Sequence, residues 1–171
     1  MRRPILLGTI VLGALAVAAP TLALWRPTVL WNTTASAPLG VYRLQPDDDP
    51  HVGDWVAVRP PKQLARWLAA QGFLPAGVPL LKRIAATQPS TVCRVGATIE
   101  IDGAVAAIAR KIDRFGRPLP VWSGCRRLAG PDIFLLNADA PGSLDGRYFG
   151  PLSVRLIVGK ATPVLTWRAR R

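Results

Sequence analysis

The chain opens with an uncharged, largely apolar run from position 5 to position 24, preceded by Arg2 and Arg3. As a helix rising 1.5 Å per residue, such a run spans about 30 Å, the thickness of a bilayer core. The positive flank predicts that this end stays in the cytoplasm while the remainder is translocated. Ala16-Val17-Ala18 and Pro20 resemble the end of a cleavable signal peptide, whereas the length of the run and the following Trp25 and Trp31 suit a membrane anchor with interfacial aromatics. Both readings divide the chain into a membrane or signal segment, residues 1–24, and an exported body, residues 25–171. Localisation follows from the same pattern: an inner-membrane protein with its body facing the periplasm.

Beyond residue 24 the hydrophobic period is mostly two. A loop of small hydroxyl residues from Trp31 leads through Pro38-Leu39-Gly40 into a short strand at Val41 and Tyr42. Residues 54–59 alternate and are stopped by Pro60-Pro61. Residues 62–74 switch to helical spacing, with Leu64, Trp67 and Leu68 on one side and Gly72 as a stop signal. Period two resumes over residues 79–87, where Leu80, Lys82, Ile84 and Ala86 share one face and Arg83 falls on the other. An ammonium group between Leu80 and Ile84 is out of place unless it snorkels or works. Asp102-Gly103 marks a hairpin between residues 98–101 and 104–109. Residues 133–136 form a buried strand, residues 137–145 a polar loop, and residues 153–157 and 164–167 the last strands. The pattern predicts a mostly β body with one short helix insertion behind an N-terminal transmembrane or signal helix.

Composition sharpens this. Among 171 residues, 15 Gly and 17 Pro without period exclude collagen and coiled coil. A net charge of +12 comes from 22 Lys and Arg against 10 Asp and Glu, and the acid-free first 24 residues leave +10 on the body. Without an RNA-binding motif, zinc finger or helix-turn-helix pattern, no nucleic acid partner is expected; attraction to membrane lipid is the simpler use of the charge. The lone histidine, His51, sits in a turn after three aspartates and leaves no metal ligand set, so neither metal nor cofactor is expected. Cys93 and Cys125 lack CxxC spacing; free thiols are one state open to them, and on the oxidising side of a membrane a structural disulfide is favoured.

Four motifs stand in order: Ser36-Ala37-Pro38-Leu39-Gly40-Val41-Tyr42, Gly53-Asp54-Trp55-Val56, Leu80-Leu81-Lys82-Arg83-Ile84-Ala85, and Ser143-Leu144-Asp145-Gly146-Arg147-Tyr148-Phe149-Gly150. Alone, a serine before a proline is usually a turn residue and Lys82-Arg83 a strand charge pair. Together the four resemble the motifs of the type I signal peptidases, peptidase family S26. The Ser-x-Pro-x-Gly-x-Tyr spacing and the helix before the lysine strand look most like the TraF-type conjugative transfer peptidases of that superfamily.

The resemblance implies a coiled antiparallel β-sheet body. It also implies Ser36 as nucleophile and Lys82 as general base, with Ser143 orienting the lysine, Asp145 and Arg147 bracing the loop, and Thr34 helping to stabilise the oxyanion. Burial on the Leu80/Ile84 face would supply the depressed amine pKa such a dyad needs. The expected substrate is an exported precursor cut after small residues, in this subfamily a pilin precursor for conjugative transfer, with conjugation or secretion machinery as the surroundings. A general signal peptidase of the secretory pathway shares the chemistry. A non-catalytic, basic, membrane-tethered component of such an apparatus is the alternative of another class.

Overall fold

The computed structural model describes residues 28–47 and 49–167. The apolar N-terminal run and the boundary at residue 24 lie outside the described residues, among which no helix is long and apolar enough to cross a membrane.

The body is built on a seven-stranded antiparallel sheet in the order β1-β2-β11-β3-β4-β9-β10 and a four-stranded sheet in the order β7-β6-β5-β8. The first comprises β1 (Val29–Asn32), β2 (Leu39–Gln45), β3 (Trp55–Val58), β4 (Leu80–Thr87), β9 (Asp132–Leu135), β10 (Leu152–Ser153) and β11 (Ile157–Trp167). The second comprises β5 (Thr91–Val95), β6 (Thr98–Ile101), β7 (Ala104–Ile108) and β8 (Gly124–Arg127). Two short helices complete it: α1 (Lys62–Ala70) between β3 and β4, and α2 (Gly146–Phe149) after β9.

Alternation explains the layering. In β2, Gly40, Tyr42 and Leu44 are buried, and Tyr42 and Leu44 pack with Ala37, Ala57, Leu81 and Ala161. The opposite residues of β3, Val56 and Val58, pack instead with Ile84, Ile133 and Leu135. Strands β3 and β4 thus carry apolar clusters on both faces. A third cluster, Ala86, Val92, Ile99, Leu128, Phe134 and Leu136, joins the two sheets.

Three elements differ from the sequence expectation. Helix α1 ends at Ala70 rather than residue 74, because Gly72 takes a left-handed φ of 69°. Gly72 N–H donates to Ala69 O at 3.0 Å and Phe73 N–H to Leu68 O at 2.9 Å, a Schellman closure. Residues 29–32 form an edge strand that takes in Trp31 and Asn32 of the expected loop, since their backbone completes β2's free edge from Val29↔Arg43 to Asn32↔Gly40. The strand expected over residues 153–157 is broken up, with Ser153 ending β10, residues 154–156 in a 3-10 turn and Ile157 opening β11, while the strand expected over 164–167 is only the end of that eleven-residue β11. Pro163 sits at a register shift against β2, where a missing N–H is tolerated, and so does not end the strand.

That shift also explains a glycine. A Cβ on Gly40, whose φ is 129°, would lie 2.0 Å from Leu165 O, so the bulged β11 crosses β2 only where no side chain stands.

Candidate functional site

The turn between β1 and β2 carries Ser36, and the side chain of Asn32 shapes it. Its Nδ2 donates to the carbonyls of Thr34 (3.0 Å), Ala37 (3.3 Å) and Pro38 (2.9 Å), while its Oδ1 accepts from Thr34 N (3.1 Å) and Thr34 Oγ1 (2.8 Å). Tyr42 Oη donates to Pro38 O at 2.8 Å, tying the turn to the strand it feeds. The six-residue connection, residues 33–38, is thereby held without regular secondary structure, and its buried polar groups are satisfied.

Lys82 stands in the middle of β4, opposite Val56 of β3. The side chain is 4% exposed, and its Nζ lies 3.2 Å from Ser36 Oγ and 3.0 Å from Ser143 Oγ. Ser36 is half-buried, so the hydroxyl is reachable from outside while the amine is not. Desolvation is the largest influence on the amine, lowering its pKa from 10.5 to about 8; Asp145 raises it and Arg147 lowers it.

Behind Ser143 the 137–147 loop is braced by a buried ion pair. Arg147 Nε donates to Asp145 Oδ1 at 2.9 Å and Nη2 to Oδ2 at 2.8 Å, with both side chains at most 1% exposed. Nη2 also donates to the carbonyls of Asn137 (3.1 Å) and Ala140 (2.8 Å). Asp145 caps α2 by accepting from Arg147 N at 3.2 Å and also accepts from Asn137 N at 3.1 Å. The charges are internally paired and spend their hydrogen bonds on loop carbonyls, the arrangement that makes a buried pair a geometric clamp.

Of the residues singled out in the sequence, Ser36, Lys82 and Ser143 meet side chain to side chain. Thr34 adjoins them, with Oγ1 3.4 Å from Ser36 Oγ and its hydroxyl hydrogen directed at Asn32 Oδ1. Asp145 and Arg147 lie behind Ser143 without touching Ser36. Cys93 and Cys125 are joined in a disulfide between the paired strands β5 and β8. His51 is exposed in its turn, where its contacts are with Asp49 and Asp54.

Three residues that pattern reading did not single out complete the surroundings. Asn32 stands in the Asn32-Thr33-Thr34 run and Asn137 at the start of the polar 137–145 loop, where nothing in the local pattern marks either as a buried amide. Arg94 is buried in β5, and donates to Arg147 O, to Pro120 O at 3.2 Å and to Gly96 O at 3.2 Å. The one signal for Arg94 is its inward parity in a strand whose neighbour Val92 is core.

A family model described as signal peptidase, peptidase S26, matches residues 2–167. A probable conjugal transfer protein TraF of Sinorhizobium fredii is 35% identical over 96% of this chain and 91% of its own length. A plasmid transfer protein TraF of Escherichia coli is 32% identical over 80% of this chain and 82% of its own. Among solved structures, a signal peptidase I of Enterococcus faecalis aligns with a TM-score of 0.38 and 18% identity, covering 66% of this chain and 97% of that one.

Proposed function

Because the chain belongs to the signal peptidase family, peptidase S26, we propose that it is a serine endopeptidase whose Ser36–Lys82 dyad cleaves an exported precursor after a small residue. The observation that carries this reading is a buried amine, with its pKa lowered to about 8, held between two hydroxyls at 3.2 and 3.0 Å. A basic amine beside a reachable hydroxyl is what a serine nucleophile requires in place of a histidine.

With Lys82 neutral, the Ser36 hydroxyl donates to Nζ, and Nζ donates one of its own hydrogens to Ser143 Oγ. Attack forms the bond from Ser36 Oγ to the scissile carbonyl carbon while the hydroxyl proton passes to Nζ. Collapse of the tetrahedral species breaks the C–N bond, and the resulting ammonium returns the proton to the leaving amine. Water then attacks the Ser36 ester with Lys82 again as base; a substrate's own amine in place of water would yield a cyclic product. Thr34, released from Asn32, and the Ser36 N–H are the nearest donors for the oxyanion.

The relatives' names carry conjugal and plasmid transfer, which supports a precursor belonging to conjugation; that it is a pilin precursor is what the TraF-type resemblance implies. The apolar residues 5–24 are assigned to the inner membrane and the body to the periplasmic side. The test is to incubate the full chain in detergent with candidate pilin precursors and read intact product masses. The parent should yield a discrete cleaved or cyclised product and Ser36→Ala none. Equal processing by folded Ser36→Ala, or no processing of any exported precursor by the parent, would overturn the assignment.

A further inference from the structure

The Ser36–Lys82–Ser143 contact is assembled from three segments far apart in sequence: the 32–38 turn, β4 and the 137–147 loop. Side chains alone do not hold them at 3 Å, because a lysine amine on four methylenes and a serine on a turn each have freedom to drift. A fourth group that fastens all three backbones would set the spacing, and Asn137 makes the required contacts.

Main-chain pairing between β9 and β4 runs to Leu136, whose N–H donates to Arg83 O at 3.0 Å. At the next residue the backbone turns away, and the side chain of Asn137 takes its place. Its Oδ1 accepts from Arg83 N at 2.9 Å and its Nδ2 faces Leu81 O at 3.4 Å. A carboxamide carries the donor and acceptor of a peptide group, so the ladder continues across the two peptides that flank Lys82. The amide orientation is determined by its neighbours, because Arg83 N–H can only donate and the carbonyls can only accept. The second Nδ2 hydrogen reaches Ser36 O at 2.7 Å, 101 residues away in sequence. Asn137 N donates to Asp145 Oδ2 and its O accepts from Arg147 Nη2, both at 3.1 Å, which adds the loop that presents Ser143. The residue is 5% exposed, so its amide is largely withdrawn from bulk water.

We infer that Asn137 is a positioning residue of the dyad: by standing in for a β-strand peptide beside Lys82 while binding the Ser36 carbonyl, it sets the separation of nucleophile and base. This rests on the peptidase reading for its kinetic consequence but not for its structural one. Among the described residues no other side chain bonds to the main chain of both Ser36 and the residues flanking Lys82, and the substrate is not required to touch it. Asp145 and Arg147, the charged groups facing Lys82 from the 137–147 loop, are themselves bonded to Asn137's main chain. Loosening Asn137 therefore hydrates the amine and shifts its nearest charges together.

The experiment uses the full chain in detergent, an internally quenched peptide carrying Ala-X-Ala before its scissile bond, and lysine labelled at Cε with carbon-13, read by NMR across pH. Asn137→Ala should lower kcat about 10- to 100-fold, the cost of misplacing a reacting group by about an ångström. KM should stay within about twofold, and the Lys82 titration midpoint should rise from about 8 toward the ordinary lysine value. Asn137→Asp, of equal size and able to keep the Arg83 bond, should remain folded, lose kcat similarly and raise the midpoint further through its added carboxylate. Parent-like kcat and midpoint in either folded variant would overturn the inference. So would a loss of activity that merely tracks the folded fraction with the Lys82 midpoint unmoved, since a purely structural role predicts that result. Should the parent leave the peptide uncut, the peptidase reading fails while the midpoint comparison still decides whether Asn137 positions Lys82.

Discussion

On the proposed mechanism, Lys82 is one buried amine whose ionisation enters both stability and rate. In the unfolded chain it titrates near 10.5 and in the folded one near 8. Below pH 8 both states are protonated, and the fold bears the full cost of burying the charge, about 3 kcal/mol as an upper bound. Between pH 8 and 10.5 the folded state has released its proton and the unfolded state has not. Stability from this group therefore rises with pH through that window and levels off above it. Lys82→Met should accordingly be inactive yet more stable than the parent at pH 6 to 7, by roughly 1–3 kcal/mol, with the advantage shrinking above pH 8 in denaturant titrations. If the proposed dyad carries the reaction, kcat/KM of the parent should climb through about pH 8 and plateau, because only the neutral amine can accept the Ser36 proton. A flat profile from pH 6 to 10 would contradict Lys82 as base.

Among the elements, α2 has four residues and owes its position to contact rather than to helix propensity. It seats directly on β9: a Cβ at Gly146 would lie 2.6 Å from a Phe134 ring carbon and 2.7 Å from Leu135 O. Phe134 is fully buried, and the carbonyl belongs to a paired strand, so neither yields readily. Gly146→Ala should push α2 off the sheet, carrying Asp145 and Arg147 with it and moving Ser143 away from Lys82. We expect a loss of roughly 1–3 kcal/mol, the usual range for overpacking, and a fall in activity greater than the fall in folded fraction. Parallel thermal melts and peptide-cleavage rates check this. The Asp102-Gly103 turn located the β6–β7 hairpin from sequence, and alternation located β3 and β4 although both carry apolar clusters on both faces. It missed β1, a four-residue edge strand exposed at Val29 and Trp31, whose pairing rather than whose pattern makes it a strand.

At the level of the molecule, the four-stranded sheet is fastened internally and to the site by adjacent residues. Cys93 bonds to Cys125 across β5 and β8, while Arg94 reaches over to the carbonyl of Arg147 in α2. Closing a segment of sequence separation 32 by a disulfide stabilises by about 4 kcal/mol in the chain-entropy account. Cys93→Ser with Cys125→Ser should lower stability by roughly 2–4 kcal/mol while leaving activity measurable at temperatures where the variant stays folded. In the parent, both cysteines should resist alkylation until reductant is added. Immediate labelling of folded, exported protein would show that the bond does not form. Arg94 faces no carboxylate in its hydrogen bonds, and burial lowers its pKa; the three carbonyls that accept from Nε and Nη1 hold the cation inside the fold.

The sequence by itself determined the class of fold, the turn bearing Ser36, the strand bearing Lys82 and the order of motifs that marks the family. Those features are local, written in hydrophobic period, proline and glycine punctuation, and an ammonium set among aliphatic residues. Only the tertiary structure decided that the three polar groups meet, because their contacts cross 46 and 61 residues of chain and depend on strand register. It alone assigned work to Asn32, Asn137 and Arg94, since a buried amide or guanidinium is recognised by the peptide groups around it and those are absent from any one-dimensional pattern. The length of β11, which runs back from the expected 164–167 strand to Ile157, was likewise decided by its neighbours: β2 and β3 supply partners on either side, and a bulge accommodates Pro163 where local propensity alone would have broken the strand.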